Sequence, residues 1–570
     1  MTIETSYSQK PWIEHYGKGV PESIDFIELP MPAILKETAA KYPSTTALIY
    51  EGNKISYSQL DEMVDRCASF LYDLGVKKGD RIGILLPNSV PLVVSYYAIL
   101  KIGAVAVMNN PLFTDRELEF LFKDSGISVL ITLDRLCERM LRLRKNTEIR
   151  HIVCSSIGDY LPIVKKAVYG VAALKNTLPV AVKKAENMHN WKQSLMKYPP
   201  AAPDVSVSLD DVAMMQYTGG TTGITKGVML THRNISFQVQ QIAAWFPDLN
   251  DGNEILLGAL PFFYVFGIST AMNFSVFKGF TDILLPNPQP GPLYSAIKRY
   301  KPTFVPLVPT MYIGLLHQPG LSAAALSSIK GCFSGSAPLP LHVITEFQEK
   351  TGALICEGFG MTEASPVTHI NPYVEGKTIP GSIGVPISNT ECRILSVEDR
   401  KTEVPAGVAG ELVIRGPQVM TGYHNNPGET AETLRDGWLH TGDIAKMDKK
   451  GYFYIVGRMK DMIITSGYNV FPRDIDEVFY HHPKIKEACA IGVPHPVKGE
   501  AVKIFIVLRE GEKATAEEMI AFCEDKLVKY KIPEEVEFRE HLPKSSIGKV
   551  LRNELKAQEM MKREGLRSAQ

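Results

Sequence analysis

The sequence predicts a layered α/β protein in two parts. The first is a large N-terminal domain of several subdomains, one of them a small β subdomain; the second is a small α+β C-terminal domain. Short β-branched runs alternate with helical periodicity over much of the chain, the pattern of largely parallel sheets covered by helices. At 570 residues the chain is too long for one compact core. The pattern changes character near Gly457-Arg458-Met459-Lys460-Asp461. That divides the chain into residues 1–459 and 460–570, the second part being of ordinary domain size.

The elements follow in order. Arg81-Ile82-Gly83-Ile84-Leu85-Leu86 reads as a buried strand, Val90–Lys101 as a helix, and Gly103-Ala104-Val105-Ala106-Val107 as the next strand. Residues 128–132, 212–215, 303–307 and 353–356 repeat the strand pattern. Turn-rich alternation around Glu391–Leu395 and residues 411–415 marks the β subdomain. Past Asp461, residues 470–478, 488–493 and 502–508 alternate strand and helix patterns before a highly charged stretch at 531–552. Residues 161–184 carry five lysines and no acid among Ile, Val, Leu and Tyr. Two readings fit: a basic amphipathic patch making peripheral contact with a membrane or an acyl carrier, or a solvated insertion packed by its apolar side.

Composition narrows the function. Lys and Arg number 62 and Asp and Glu 62, so formal net charge is zero, with pI near 7.2. No overall field recruits nucleic acid, and no zinc-finger spacing occurs. The eight cysteines form no C-x-x-C pair, and several sit in apolar runs. Reduced core cysteines in a cytoplasmic protein are expected. The N-terminus lacks a basic start followed by an apolar core, and no apolar run has the length of a membrane span.

The densest chemical signal is Gln216-Tyr217-Thr218-Gly219-Gly220-Thr221-Thr222-Gly223-Ile224-Thr225-Lys226-Gly227, which follows a strand-like run. Glycines let successive backbone N–H groups face one anion; the threonine hydroxyls add donors and Lys226 a positive charge. Such a loop suits a polyphosphate. It is not the ordinary P-loop, because Thr225 precedes the lysine and Gly227 follows it. Downstream, Ser334-Gly335-Ser336-Ala337-Pro338 closes an apolar run with small residues, suited to a flat base or an acyl chain. Glu357-Gly358-Phe359-Gly360-Met361-Thr362-Glu363 sets an aromatic face between glycines, then a hydroxyl for phosphate and a carboxylate for magnesium. Trp438-Leu439-His440-Thr441-Gly442-Asp443 ends in a carboxylate able to accept ribose hydroxyls, and Arg458 can add a charged hydrogen bond. Gly548-Lys549 closes the series in the C-terminal stretch. Each motif alone could be a turn, a cap or a solvated charge. Five in this order, after the threonine-glycine loop, leave that little room.

With these motifs the chain resembles the AMP-forming acyl-CoA synthetases, adenylate-forming enzymes that also include luciferases and peptide-synthetase adenylation domains. The resemblance spans about residues 10–555 and looks most like bacterial medium- or long-chain fatty acyl-CoA synthetases. It implies a mobile C-terminal domain hinged at Lys460, and ATP, Mg²⁺ and coenzyme A as reactants. Thr218, Gly219, Gly220, Thr221, Thr222, Gly223 and Lys226 would wrap the β- and γ-phosphates. Gly335, Ser336, Ala337 and Pro338, with Glu357, Gly358, Phe359, Gly360 and Met361, would hold adenosine. Thr362 would meet the α-phosphate, Asp443 and Arg458 the ribose, and Ile455 and Asn469 would complete the nucleotide contacts. Glu363 and Thr218 would hold the metal. Lys549 matches the catalytic lysine, with Lys226 and Thr362 also catalytic. Tyr264, Phe266, Gly267, Gly335 and Gly360 would line the acyl site, and Ser466, Gly467 and Tyr468 the coenzyme A path.

Two departures bear on specificity. Phe359 stands where tyrosine is frequent in the family. Tyr264 stands where many fatty-acid members carry histidine, and it reads equally as core aromatic or as a gate to the acyl pocket. The implied reaction makes acyl-CoA, AMP and pyrophosphate from a fatty acid, ATP and CoA. An aryl or alicyclic acid, operation in reverse to make ATP, a carrier-protein ligase, and a non-catalytic nucleotide sensor are the alternatives. A homodimer is compatible with all of them.

Overall fold

The computed structural model describes residues 7–167, 185–218, 225–466, 468–544 and 550–568. The chain forms two compact units. One comprises Trp12–Glu391 and Ile414–Leu439; the other comprises Met1–Pro11, Cys392–Val413 and His440–Gln570.

The larger unit holds two sheets of the expected kind. In the eight-stranded sheet, Val212–Thr218, Val105–Met108, Arg81–Leu85, Val129–Leu133, His151–Ser155 and Met188–Asn190 run parallel as neighbours in that order. Lys226–Thr231 and Gly422–Tyr423 extend it antiparallel at one edge. The nine-stranded sheet is parallel from Ile355–Gly360 across to Thr46–Tyr50 and antiparallel at both ends. Helix Val90–Lys101 has the bounds its sequence pattern indicates, and every residue from Val90 to Leu100 is buried. A helix apolar on all sides has to be enclosed.

Strand ends moved where local chemistry intervened. The strand expected from Gly103 begins at Val105, because Gly103 takes φ +68° and turns the chain first. The strand expected at 353–356 runs Ile355–Gly360 instead, since Gly358 and Phe359 pair antiparallel with Ile370 and His369. The Gly-Phe-Gly motif is therefore strand and not turn.

In the smaller unit, Ile485–His495 and Gly499–Leu508 form a long antiparallel pair, flanked by Ile463–Thr465 and the parallel Glu535–Phe538. Side chains alternate between faces. Ala488, Ala490, Val502 and Ile504 pack with Ile475 and Phe479 of helix Pro472–Tyr480 and Met519 of helix Ala516–Cys523. Cys489, Ile491, Val493 and Phe505 pack with Leu555 of helix Arg552–Ser568. The segments Glu391–Leu395, Gly410–Arg415 and Trp438–Met447 are neighbours in one five-stranded sheet, with the first two at the stretches where alternation indicated β structure.

One expectation is corrected. Cys137 and Cys154 are joined in a disulfide, whereas the other six cysteines are buried thiols outside any disulfide. Helix Cys137–Arg144 packs beside strand His151–Ser155, which brings together two cysteines 17 apart in sequence. The pattern of cysteines thus gives less support to a reducing compartment than expected. Among the described residues no helix is long and apolar enough to cross a membrane. Residues 168–184 of the lysine-rich stretch lie outside the described residues; Ile163 and Val164 just before them are exposed.

Candidate active site

In the larger unit the strands on either side of the threonine-glycine stretch pair with each other. Thr218 ends one strand and pairs with Lys226, which opens the next. Gly219, Gly220, Thr221, Thr222 and Gly223 lie outside the described residues. Lys226 is nearly enclosed, with 9% of its side chain exposed. Its ammonium pairs with the Glu429 carboxylate and lies 5.3 Å from the centre of the Tyr423 ring. The Tyr423 hydroxyl donates to Glu363 Oε1 at 2.8 Å. Burial, and then the Glu363 charge, push the Tyr423 phenol up, so it remains a donor. Glu363 itself is buried in the 3₁₀ turn Thr362–Ala364.

Residues expected to line the adenine and acyl sites pack together at Phe266. A Cβ on Gly335 would stand 2.8 Å from the Phe266 ring, so only glycine admits that ring against the turn. Phe266 also meets Phe333 edge-on at 5.7 Å. Ser336, next in the turn, has φ +72°. Glu357 braces this turn from below: its carboxylate accepts from Leu339 N at 3.0 Å and Gly381 N at 3.2 Å. Phe359 and Thr362 are half-buried, and Gly360 and Met361 lie exposed or half-buried between them. Gly358, Gly360 and Gly267 have a packing reason to be glycine. An added Cβ would stand 2.4 Å from the Phe333 ring, 2.1 Å from Pro366 O and 2.4 Å from Pro261 O, respectively. Tyr264 is half-buried, accepts a hydrogen bond from Asn110 Nδ2 at 3.2 Å, and contacts the Phe263 ring at 5.0 Å. It caps the helical run Val265–Gly267, which continues as a π-helix over Ile268–Asn273, a form frequent at functional sites.

The smaller unit contributes its own set. Asp443 and Arg458 are cross-strand partners, and Arg458 Nε lies 2.6 Å from Asp443 Oδ1. Asp443 is 2% exposed. Its strand is fixed by Glu411, whose fully buried carboxylate meets His440 Nδ1 at 2.9 Å, Arg400 Nε at 2.7 Å and Gly442 N at 3.3 Å. Burial alone would raise Glu411, but the His440 and Arg400 hydrogen bonds outweigh it and hold the group at about 2. Ile455 is half-buried, and its carbonyl accepts from Arg473 at 2.7 Å. Lys460 is exposed in the 3₁₀ turn Met459–Asp461. Ser466, at φ +51°, Tyr468 and Asn469 are exposed, and Tyr468 stacks on Tyr530 with centroids 4.4 Å apart. Gly467 and Lys549 lie outside the described residues. Their flanks are placed: Lys544 bridges Val550, and Leu551 N donates to Pro543 O at 2.8 Å. Arg552 beyond them pairs with buried Asp476 and donates to Ala490 O at 2.9 Å.

Sequence reasoning missed Tyr423, Glu429, Glu411 and Asn110. The available signal was weak: Gly422-Tyr423 ahead of the turn-forming Asn425-Asn426-Pro427 hinted at a short strand with a placed aromatic.

The sequence motifs carried by the two units are those of the class of enzymes that form adenylates, and the comparisons with known proteins agree. Residues 35–424 match the AMP-binding enzyme family and residues 474–549 the AMP-binding enzyme C-terminal domain, so the chain belongs to that family. The chain is 43% identical over 559 residues to the long-chain-fatty-acid–CoA ligase of Bacillus subtilis (strain 168), covering 97% of this chain and 98% of that protein. It is 36% identical to the same-named ligase of Escherichia coli O6:H1, over 96% and 98% of the two chains. Among solved structures, ATP-bound MatB from Rhodopseudomonas palustris superposes with a TM-score of 0.83 at 28% identity, covering 93% of this chain and 99% of that one. A benzoate CoA ligase from Burkholderia xenovorans LB400 gives 0.79 at 25% identity, over 92% and 99%. The protein is an AMP-forming acid–CoA ligase.

Proposed function

We propose that the acid is a medium- or long-chain fatty acid and that the reaction passes through an acyl-adenylate. The observation that carries this reading is the 43% identity to a long-chain-fatty-acid–CoA ligase over nearly the whole of both chains. In the first step a carboxylate oxygen bonds the α-phosphorus of ATP, and the bond to the β-phosphate oxygen breaks, releasing pyrophosphate. Two anions approach, and charge shifts onto the leaving group. Lys226, Thr218 and the loop between them would meet the departing phosphates, and Thr362 and Lys549 the α-phosphate and the acid. In the second step the CoA thiol attacks the acyl carbon, giving the thioester and releasing AMP.

Mg²⁺ suits the residues present. Glu363 and Thr218 offer hard oxygen donors, and among the described residues no cluster of three His, Cys, Asp or Glu builds an all-protein cage. Magnesium is characteristically held by one or two side-chain oxygens, with phosphates and waters completing the shell. Bound there, it would neutralise charge on the phosphate oxygens.

The same reading includes a cytoplasmic location, where ATP and CoA are at hand, and a turn about Lys460 between the two half-reactions. Lys460 is exposed and lies in the stretch between the two family matches, where a hinge between the matched parts would fall. The Tyr264, Phe263, Phe266 and Phe333 rings favour a second reading, a compact ring acid. CoA-dependent AMP release with hexanoate, palmitate, benzoate and cyclohexanecarboxylate separates them. Preference for palmitate or hexanoate supports the fatty-acid reading, and preference for either ring acid overturns it.

A further inference from the structure

Glu363 and Lys226 are the two charged groups of the larger unit that the ligase reading sends to the metal and the phosphates. Neither stands alone, and both are tied to one short segment that the family resemblance did not bring forward. Strand Gly422–Tyr423 pairs with Met229 and Val228, just after Lys226. His424 N donates to Gly227 O at 2.7 Å, and Met420 N donates to Glu363 O at 2.8 Å. Tyr423 N is fixed in turn by Thr430 Oγ1 at 2.9 Å. From this frame the Tyr423 hydroxyl reaches Glu363 Oε1, while its ring and Glu429 carry the Lys226 ammonium.

We infer that Tyr423 is a positioning residue: its hydroxyl aims the Glu363 carboxylate for Mg²⁺, and its ring sets the place from which Lys226 meets the triphosphate. The inference rests on the acid–CoA ligase reading and adds to it a residue that touches neither metal nor nucleotide. One oxygen of Glu363 is occupied by the phenol, which fixes the carboxylate plane, and partners of this kind are worth about 10–100-fold in metal affinity. Phenylalanine at this position keeps the ring and its contact with Lys226 and removes only the aiming bond. Leucine removes both.

The test compares Tyr423→Phe and Tyr423→Leu with the parent in pyrophosphate exchange over a Mg²⁺ titration, and in ATP binding by calorimetry with Mg²⁺ or with excess EDTA. Tyr423→Phe is expected to raise the half-saturating Mg²⁺ about tenfold. Its ATP affinity should weaken in Mg²⁺ and match the parent in EDTA. In Tyr423→Leu, ATP affinity should weaken in EDTA as well, because the platform for Lys226 is gone. Melting temperatures establish that both variants are folded, and the Phe variant, which keeps the packing, carries the decision should the Leu variant unfold. Unchanged Mg²⁺ dependence in Tyr423→Phe, or equal weakening with and without Mg²⁺, overturns the inference. A parent protein that exchanges no pyrophosphate with any acid would instead bring down the ligase reading itself.

Discussion

The two units handle their charged groups differently. In the larger unit, Lys226 and Glu363 are nearly enclosed, and each already has a partner on the 420–430 segment. In the smaller unit, one set is held by its neighbours, the Asp443–Arg458 pair backed by Glu411, His440 and Arg400. The rest, Lys460, Ser466, Tyr468 and Asn469, lies exposed on short elements. Groups that serve one fixed ligand gain from being held in place, since no reorganisation is then needed at the moment of reaction. Groups that must serve in one half-reaction and withdraw in the other have to remain free of such packing. The contrast predicts that variants of the exposed Tyr468 split the half-reactions, whereas variants of the Asp443–Arg458 pair, expected to hold the AMP portion present in both steps, do not.

Lys549→Ala is the largest expected break. Adenylation should fall by about a hundredfold or more, the scale of losing one electrostatic stabiliser aimed at developing charge. Thioester formation from supplied acyl-adenylate should lose far less. Pyrophosphate exchange and single-turnover thioester formation measure the two steps apart, and equal losses would refute the role proposed for Lys549.

The locked set makes a pH prediction. Glu411 sits at about 2 in the folded protein, below its ordinary 4.5, because His440 and Arg400 overcome the cost of burial. A depressed carboxyl contributes stability that is present above pH 4.5 and lost as pH falls from there towards 2. Roughly 2.5 units correspond to about 3 kcal/mol. Glu411→Gln should therefore be less stable at pH 7 by about that amount, with the gap closing as pH falls below 4.5. Urea unfolding at pH 7, 5 and 3.5 reads it; a gap independent of pH would show that Glu411 acts by shape and not by charge.

How far the sequence carried follows from what kind of signal each feature leaves. Helix Val90–Lys101 and the parallel strands were legible because full burial writes an unbroken apolar run. Strand Ile355–Gly360 was half legible: glycine and glutamate carry no strand signal, and its second half is stabilised by pairing with Val367–Ile370. Phe266 and Gly335 were named separately, and their contact across 69 positions appeared only with the fold. Tyr423 lies 60 positions from Glu363, and Glu429 lies 203 from Lys226. Partners that act only by holding another side chain leave no pattern of their own. The Cys137–Cys154 pair is the same case, since its spacing follows from packing a helix beside a strand.

The smallest expected effect sharpens the contrast from the exposed side. Tyr468 is 55% exposed and stacked on Tyr530, so its removal costs the fold little. What it offers is a pre-set aromatic surface beside Ser466, on the path the resemblance assigns to coenzyme A. An aromatic pair of this kind contributes about 0.5–1.5 kcal/mol beyond area burial. Tyr468→Leu should accordingly raise the KM for CoA by about two- to tenfold, with the melting temperature lowered by at most a few degrees. Pyrophosphate exchange, which uses no CoA, should stay within about twofold of the parent, well inside the scatter expected of an exposed substitution. Should exchange fall as far as the CoA-dependent rate, Tyr468 would belong with the locked groups, and the division drawn between fixed and withdrawable parts of the site would be in the wrong place.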